Sequence, residues 1–84
     1  MKSLRFTLLI LLFAISFAAS GQINHKHYIT MGRIDLSKED FNAAIQNLNV
    51  AIQAKPNDFE AYFLRGIAKF SLNDFSGAVD DFSK

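Results

Sequence analysis

The sequence predicts an all-α fold of tandem antiparallel helix-turn-helix units, about two of them with the second incomplete, and three observations predict it. A 34-residue period runs along the chain, apolar residues recur at spacings of three and four within it, and short polar residues or proline stand where helices must begin and end. Shifting the sequence by 34 positions pairs Asn24 with Asp58, Tyr28 with Tyr62, Gly32 with Gly66, Ser37 with Ser71, Asp40 with Asp74, Phe41 with Phe75, Ala44 with Ala78, Ile45 with Val79 and Leu48 with Phe82. So many matches at one offset mark an internal duplication.

Each unit reads as two helices. The first spans about 26–36 and again about 59–72, opened by Asn24 and Asp58, whose side chains can accept from free backbone N–H groups. In the later copy Tyr62, Phe63, Gly66, Ile67 and Phe70 fall on one broad face. The second helix spans about 40–54 and again from 74 to at least 84, with Phe41, Ala44, Ile45, Leu48 and Ile52 as the buried stripe of the first copy. Pro56 ends that helix and biases Lys55 toward an extended conformation. Gly32 and Gly66 each cost about 1 kcal/mol relative to alanine inside a helix, which implies a return from packing. The expected return is close approach of the second helix, with Ala44 and Ala78 keeping the facing surface low and Tyr28, Phe41, Tyr62, Phe75 and Phe82 filling the space beside it.

Ahead of the repeats lies a segment of different character. Lys2 and Arg5 lead a run over residues 6–19 in which only Thr7 and Ser16 are not apolar, and the run closes on Ala18, Ala19, Ser20 and Gly21. This is the layout of a secretory signal peptide. A membrane-crossing helix needs about 20 apolar residues, against 14 here, so an uncleaved anchor is the weaker alternative. The domain reading is therefore a signal peptide over 1–21 and a repeat region over 22–84, with repeat 1 at about 25–58 and a truncated repeat 2 at about 59–84. The expected localisation is exported, either periplasmic or secreted.

Composition excludes several functions. Without residues 1–21, seven Lys and Arg face eight Asp and Glu, which gives no basic stripe for nucleic acid. Cysteine is absent, and with it disulfides, thiolate nucleophiles and the commonest zinc sites. His25 and His27 are two apart on a helix and point to different faces, so a solvated His-Lys-His stretch is expected rather than a metal site. Asp80 and Asp81 are adjacent, so they cannot flank a substrate as an acid and a base; they are expected in solvent or in an exposed pair with Arg65 worth about 0–1 kcal/mol. No glycine-rich phosphate loop or serine elbow occurs. The chain is read as no enzyme, with no cofactor, no metal and no small-molecule substrate.

The helix pair, the period and the series Tyr62, Gly66, Ala68, Leu72, Asp74, Phe75 and Ala78 resemble the tetratricopeptide repeat, as do Tyr28, Gly32, Phe41, Ala44, Ala51 and Pro56 in the preceding copy. The sequence departs from that family at Met31 and Arg65, where leucine is preferred, and at Asp35 and Lys69, where an aromatic is preferred. The resemblance implies a curved α-solenoid whose first helices line a concave surface for a protein or peptide. Carried onto this chain, the lining positions are Lys26, Ile29, Arg33, Leu36 and Ser37, then Glu60, Phe63, Ile67, Phe70 and Ser71. The subgroup that clamps a ligand's C-terminal carboxylate places Lys and Asn where this chain has Ile29, Arg33, Phe63 and Ile67, so an apolar segment is the expected guest. Coverage of Phe63, Ile67 and Phe70 by further repeats or by the chain itself is the competing possibility. The functional expectation is an exported interaction scaffold; the alternative is the N-terminal docking or sensing part of a larger envelope enzyme or signal transducer.

The leader reading has a direct test. Intact-mass measurement of the protein from the extracytoplasmic fraction is expected to show loss of residues 1–20 or 1–21, whereas residues 1–21 retained in the membrane fraction would establish an anchor.

Overall fold

A computed structural model describes residues 23–84. The expected signal peptide, its cleavage site and the alternative anchor lie outside the described residues. Four helices follow one another: α1 (His25–Ser37), α2 (Phe41–Ala54), α3 (Phe59–Ser71) and α4 (Phe75–Phe82). None of them is long and apolar enough to cross a membrane.

Each helix starts at a residue chosen for the purpose. The side chains of Asn24, Asp40, Asp58 and Asp74 accept from the backbone N–H of Lys26, Ala43, Glu60 and Gly77 at 3.0–3.2 Å. A cap of this kind contributes about 1 kcal/mol relative to alanine. The ends of α1 and α3 are also alike. Glu39 and Asn73, 34 positions apart, take positive φ values of 59° and 65°. That conformation lets Glu39 N–H reach Leu36 O and Asp40 N–H reach Asp35 O, and the corresponding bonds run from Asn73 to Phe70 and from Asp74 to Lys69. The paired bonds are a Schellman ending, which suits asparagine better than glutamate. At the end of α2, Lys55 is extended (φ −144°, ψ 89°), as the following proline requires. The Tyr62 hydroxyl donates to the Pro56 carbonyl at 2.8 Å and fixes this turn to α3. Helix α4 covers Phe75–Phe82, two residues short of the expected Lys84. Lys84 N–H bonds the carbonyl three residues back, on Asp81, which tightens the final turn.

The core forms where three helices meet. One cluster joins Ile29 of α1, Ala51 of α2 and Ala61 of α3, and a second joins Ala44, Leu48 and Ala68. Leu64 packs against both, so α3 is seated along the groove between α1 and α2. Helix α4 then folds back on the other side of α3.

The glycines do permit close approach, but the residues that use them differ from the expectation. A Cβ at Gly32 would lie 2.7 Å from Cγ and Cδ2 of Leu48, and one at Gly66 would lie 2.5 Å from the Phe82 ring. Leu48 and Phe82 therefore occupy the notches. Ala44 instead packs beside Leu48 and Ala68, at the junction between repeats. Its counterpart Ala78 is buried on α4.

The two notches should respond differently to filling. Leu48 is fully buried and has nowhere to move, so Gly32→Ala is expected to cost about 1–3 kcal/mol in overpacking against a helix-propensity gain of about 1 kcal/mol. Phe82 is 47% exposed and its ring can swing outward, which leaves Gly66→Ala near neutral. Urea melts of both variants check this; equal stabilisation by the two alanines would refute a tight seat at Gly32.

Candidate functional site

The residues expected to line one concave surface separate into two places. Between α1 and α3 lies an open cleft of about 250 Å3, lined by Lys26, Ile29, Thr30, Arg33, Asp58 and Glu60. It is mostly polar. Arg33 and Glu60 form an ion pair across it with about half of each side chain in solvent, so the pair contributes about 0–1 kcal/mol. Asp58 also approaches His25 Nε2 at 3.3 Å. His25 is therefore turned inward rather than solvated, while Lys26 and His27 remain exposed. Among the described residues no group of His, Cys, Asp or Glu could hold a metal ion.

Ile29 and Leu36 do not serve as open binding positions. Ile29 is 4% exposed and packs with Ala51 and Ala61, and Leu36 is half-buried against Ala44, Leu48 and Ala68. Both face the incoming α3, and that is why they are apolar. Ser37 and Ser71 spend their hydroxyls on the Ile34 and Ile67 carbonyls near the ends of their helices.

The second place is an apolar face on α3 and α4. Phe63 and Phe70 of α3 are 57% and 58% exposed, with Ile67 half-buried between them. Helix α4 adds Phe75, Val79 and Phe82, also exposed. The rings meet across the two helices in pairs, Phe63 with Phe82 at 5.8 Å between centroids and Phe70 with Phe75 at 5.2 Å, edge to face. The sequence reading assigned only the α3 half to binding. Phe75 and Phe82 were expected to fill space beside the glycine contact; Phe82 does lie over Gly66, but both rings are about half exposed, because the packing of α4 against α3 turns them outward beside Phe63 and Phe70.

A buried charge network holds α4 at this angle. Arg65 donates through Nε and Nη2 to the two carboxylate oxygens of Asp81, at 2.8 and 2.7 Å, and through Nη1 to Asn49 of α2 at 2.8 Å. Lys69 Nζ lies 3.1 Å from the same carboxylate. The guanidinium also stands 5.5 Å over the Tyr62 ring. The expectation of a solvated Asp81, or of an exposed pair, is corrected here: its side chain is wholly buried and the Arg65 side chain is only 17% exposed. Two cations supply the hydrogen bonds that make the burial tolerable. Burial pushes the Asp81 carboxyl up, but the hydrogen bonds and charges of Arg65 and Lys69 outweigh it and hold the group below the ordinary carboxylate range. The hydrogen bond to Asp81 in turn raises the Arg65 guanidinium.

Comparison with known proteins bears on this arrangement. A family model described as a TPR repeat matches residues 32–73. The peptidyl-prolyl cis-trans isomerase FKBP4 of Bos taurus is 35% identical over 57 residues, which cover 68% of this chain and 12% of that protein. No solved structure matches the chain.

The Asp81 network has a pH signature. A carboxyl whose pKa is lower folded than unfolded contributes stability that is present above the unfolded value of about 3.9 and lost as pH falls through the folded value. Asp81→Asn is expected to destabilise by about 1–3 kcal/mol at neutral pH, since Arg65 and Lys69 lose their charged partner. Its deficit against the parent should shrink on acidification below about pH 4. Urea denaturation at several pH values reads both effects; a deficit independent of pH would remove the charge from the explanation.

Proposed function

The chain belongs to the tetratricopeptide-repeat family, whose repeats mediate protein–protein interaction, and on that premise we propose that it is an exported interaction scaffold which captures an apolar segment of a partner protein on the face formed by α3 and α4. The observation that carries this reading is the cluster of Phe63, Phe70, Phe75, Val79 and Phe82, all about half or more exposed on adjacent helices. A contiguous apolar patch of this kind is the usual mark of a contact site. Its rings are ordered in pairs by their neighbours, so little conformational entropy is lost when a partner covers them. The polar cleft around Lys26, Arg33 and Glu60 offers a second, weaker contact on the concave side, where Ile67 sits at the position that Arg33 holds in repeat 1. Export is supported by the basic start and apolar run of residues 1–21.

A second reading follows from the relative matched above. In it a similar segment makes up 12% of a longer protein named for an isomerase activity, which favours the same repeats acting as the docking part of a larger envelope enzyme or signal transducer. No catalytic role falls to the described residues in either reading. The mass of the protein isolated from the envelope separates the two.

Interface anchors of this size typically cost more than about 1 kcal/mol when truncated. Phe63→Ala and Phe70→Ala are each expected to weaken partner capture by at least that much in pull-downs from envelope extracts. Because both side chains are more than half exposed, the melting curves should stay close to the parent. Unchanged capture would defeat the proposed face, and capture lost together with the fold would assign these rings to packing.

A further inference from the structure

Apolar contacts alone do not decide which helices of this chain pair. In the first hairpin Leu48 of α2 lies over Gly32 of α1, and in the second Phe82 of α4 lies over Gly66 of α3. Leu48 and Phe82 are 34 positions apart, as are the two glycines. An exchanged arrangement, with α2 on α3 and α4 on α1, would again set a large apolar side chain over each notch. Chains built from similar units are prone to misassembly of this kind.

The polar residues beside the notches are not interchangeable. Around the glycine, α1 carries Met31 and Asp35 where α3 carries Arg65 and Lys69, and at the facing position α2 carries Asn47 where α4 carries Asp81. The observed pairing satisfies both sets. Asn47 Nδ2 donates to Asp35 at 2.6 Å, while Asp81 accepts from Arg65 at 2.7 and 2.8 Å with Lys69 Nζ at 3.1 Å. The exchanged pairing satisfies neither. Asp81, which is buried, would face the carboxylate of Asp35, and Met31 would supply no cation. Arg65 and Lys69 would face the amide of Asn47, which has no charge to offset theirs. Two carboxylates at one site oppose each other's ionisation, and a buried charge without its partner costs far more than the intact pair contributes.

We infer that the network of Arg65, Lys69 and Asp81 is a pairing device, which assigns α4 to α3 and excludes it from α1 of the same chain or of another copy. Its main effect is on the choice among helices and not on the stability of the one chosen. Fixing register and partner is a use to which buried polar and ionic groups are well suited. The same guanidinium donates to Asn49 of α2 at 2.8 Å, so the residue that selects α4 also ties α3 to the first hairpin.

Helices α1 and α4 do not touch in the fold, and the chain has no cysteine. Ser37→Cys with Ser76→Cys, at exposed positions of α1 and α4, therefore reports the exchanged pairing when the full chain is refolded from urea and treated with a short bismaleimide. Two further sets of changes are compared on this background. Arg65→Met, Lys69→Asp and Asp81→Asn together copy the residues of repeat 1 onto repeat 2 and make all pairings equivalent. Met31→Arg with Asp35→Lys gives α1 the cations of α3. Each set is expected to raise the α1–α4 cross-linked fraction several-fold over the parent, within one chain or between two. Adding Asp81→Asn to the second set should return the fraction to the parent level. A triple variant that refolds cooperatively with no rise in cross-linking overturns the proposal. If the triple variant does not refold, the second set decides: a rise that Asp81→Asn abolishes supports the pairing device, and no rise, or a rise that persists with Asp81→Asn, overturns it.

Discussion

The seam where α3 enters the groove between α1 and α2 is the constraint on which the rest depends. Without it the chain is two helical hairpins, and a single hairpin cannot bury a continuous core. The seam works through small residues more than large ones. Ala44, Ala51, Ala61 and Ala68 are fully buried there, and Leu48 is the large apolar side chain wholly removed from water. Burial of one leucine contributes about 1.5–3 kcal/mol, so the alanines matter less for their own area than for the distance they allow. They bring three helix backbones close enough for Leu48 to lie over Gly32 and for Leu64 to serve both clusters.

Close backbones leave little room for water, and polar side chains near the seam must be satisfied by one another. The departures from the family pattern do this. Arg65 and Lys69 both bind Asp81, and Asp35 accepts from Asn47 Nδ2 at 2.6 Å. These positions are related by the repeat: Asp35 corresponds to Lys69, and Asn47 corresponds to Asp81. The polarity is reversed between copies. Repeat 1 pairs a carboxylate on its first helix with an amide on its second, whereas repeat 2 pairs cations on its first helix with a carboxylate on its second. With Met31 at the counterpart of Arg65, repeat 1 has no guanidinium to neutralise a buried acid on α2, and the neutral Asn47 is consistent with that lack. No side-chain nitrogen or oxygen buried among the described residues is left without a partner.

The period, the capping residues and the turn at Pro56 were legible because each is a local rule written in adjacent residues. Helix pairing was not local, and there the sequence reading went astray. It recognised Gly32 and Gly66 as notches but placed Ala44 and Ala78 against them, since spacing along one helix does not reveal which residue of another helix fills the gap. Ile29 and Leu36 were assigned to a binding surface that in repeat 1 is occupied by α3. Asp81 was expected in solvent or in an exposed pair with Arg65; the partner is the one the structure shows, but the pair is buried. One signal was available for it. Asp81 sits three residues after Ala78, on the stripe of α4 that faces α3, with Arg65 and Lys69 one turn apart on α3, and that alignment is the condition for a shared ion pair.

The outer faces of the two described helix pairs are not equivalent. A repeat that stacks on its neighbour by translation could in principle add copies without limit, as an open head-to-tail contact does. Here the outer face of α1 carries His27, Thr30 and Ile34 at the positions where α3 carries Ala61, Leu64 and Ala68. Histidine and isoleucine in place of the two alanines are too large for the close approach that the seam requires. The outer face of α4 and α3, by contrast, keeps the apolar residues of a seat and replaces His25 and Arg33 with Phe59 and Ile67. One end therefore rejects a stacked helix through bulk, while the other retains the shape of a seat and loses its charges.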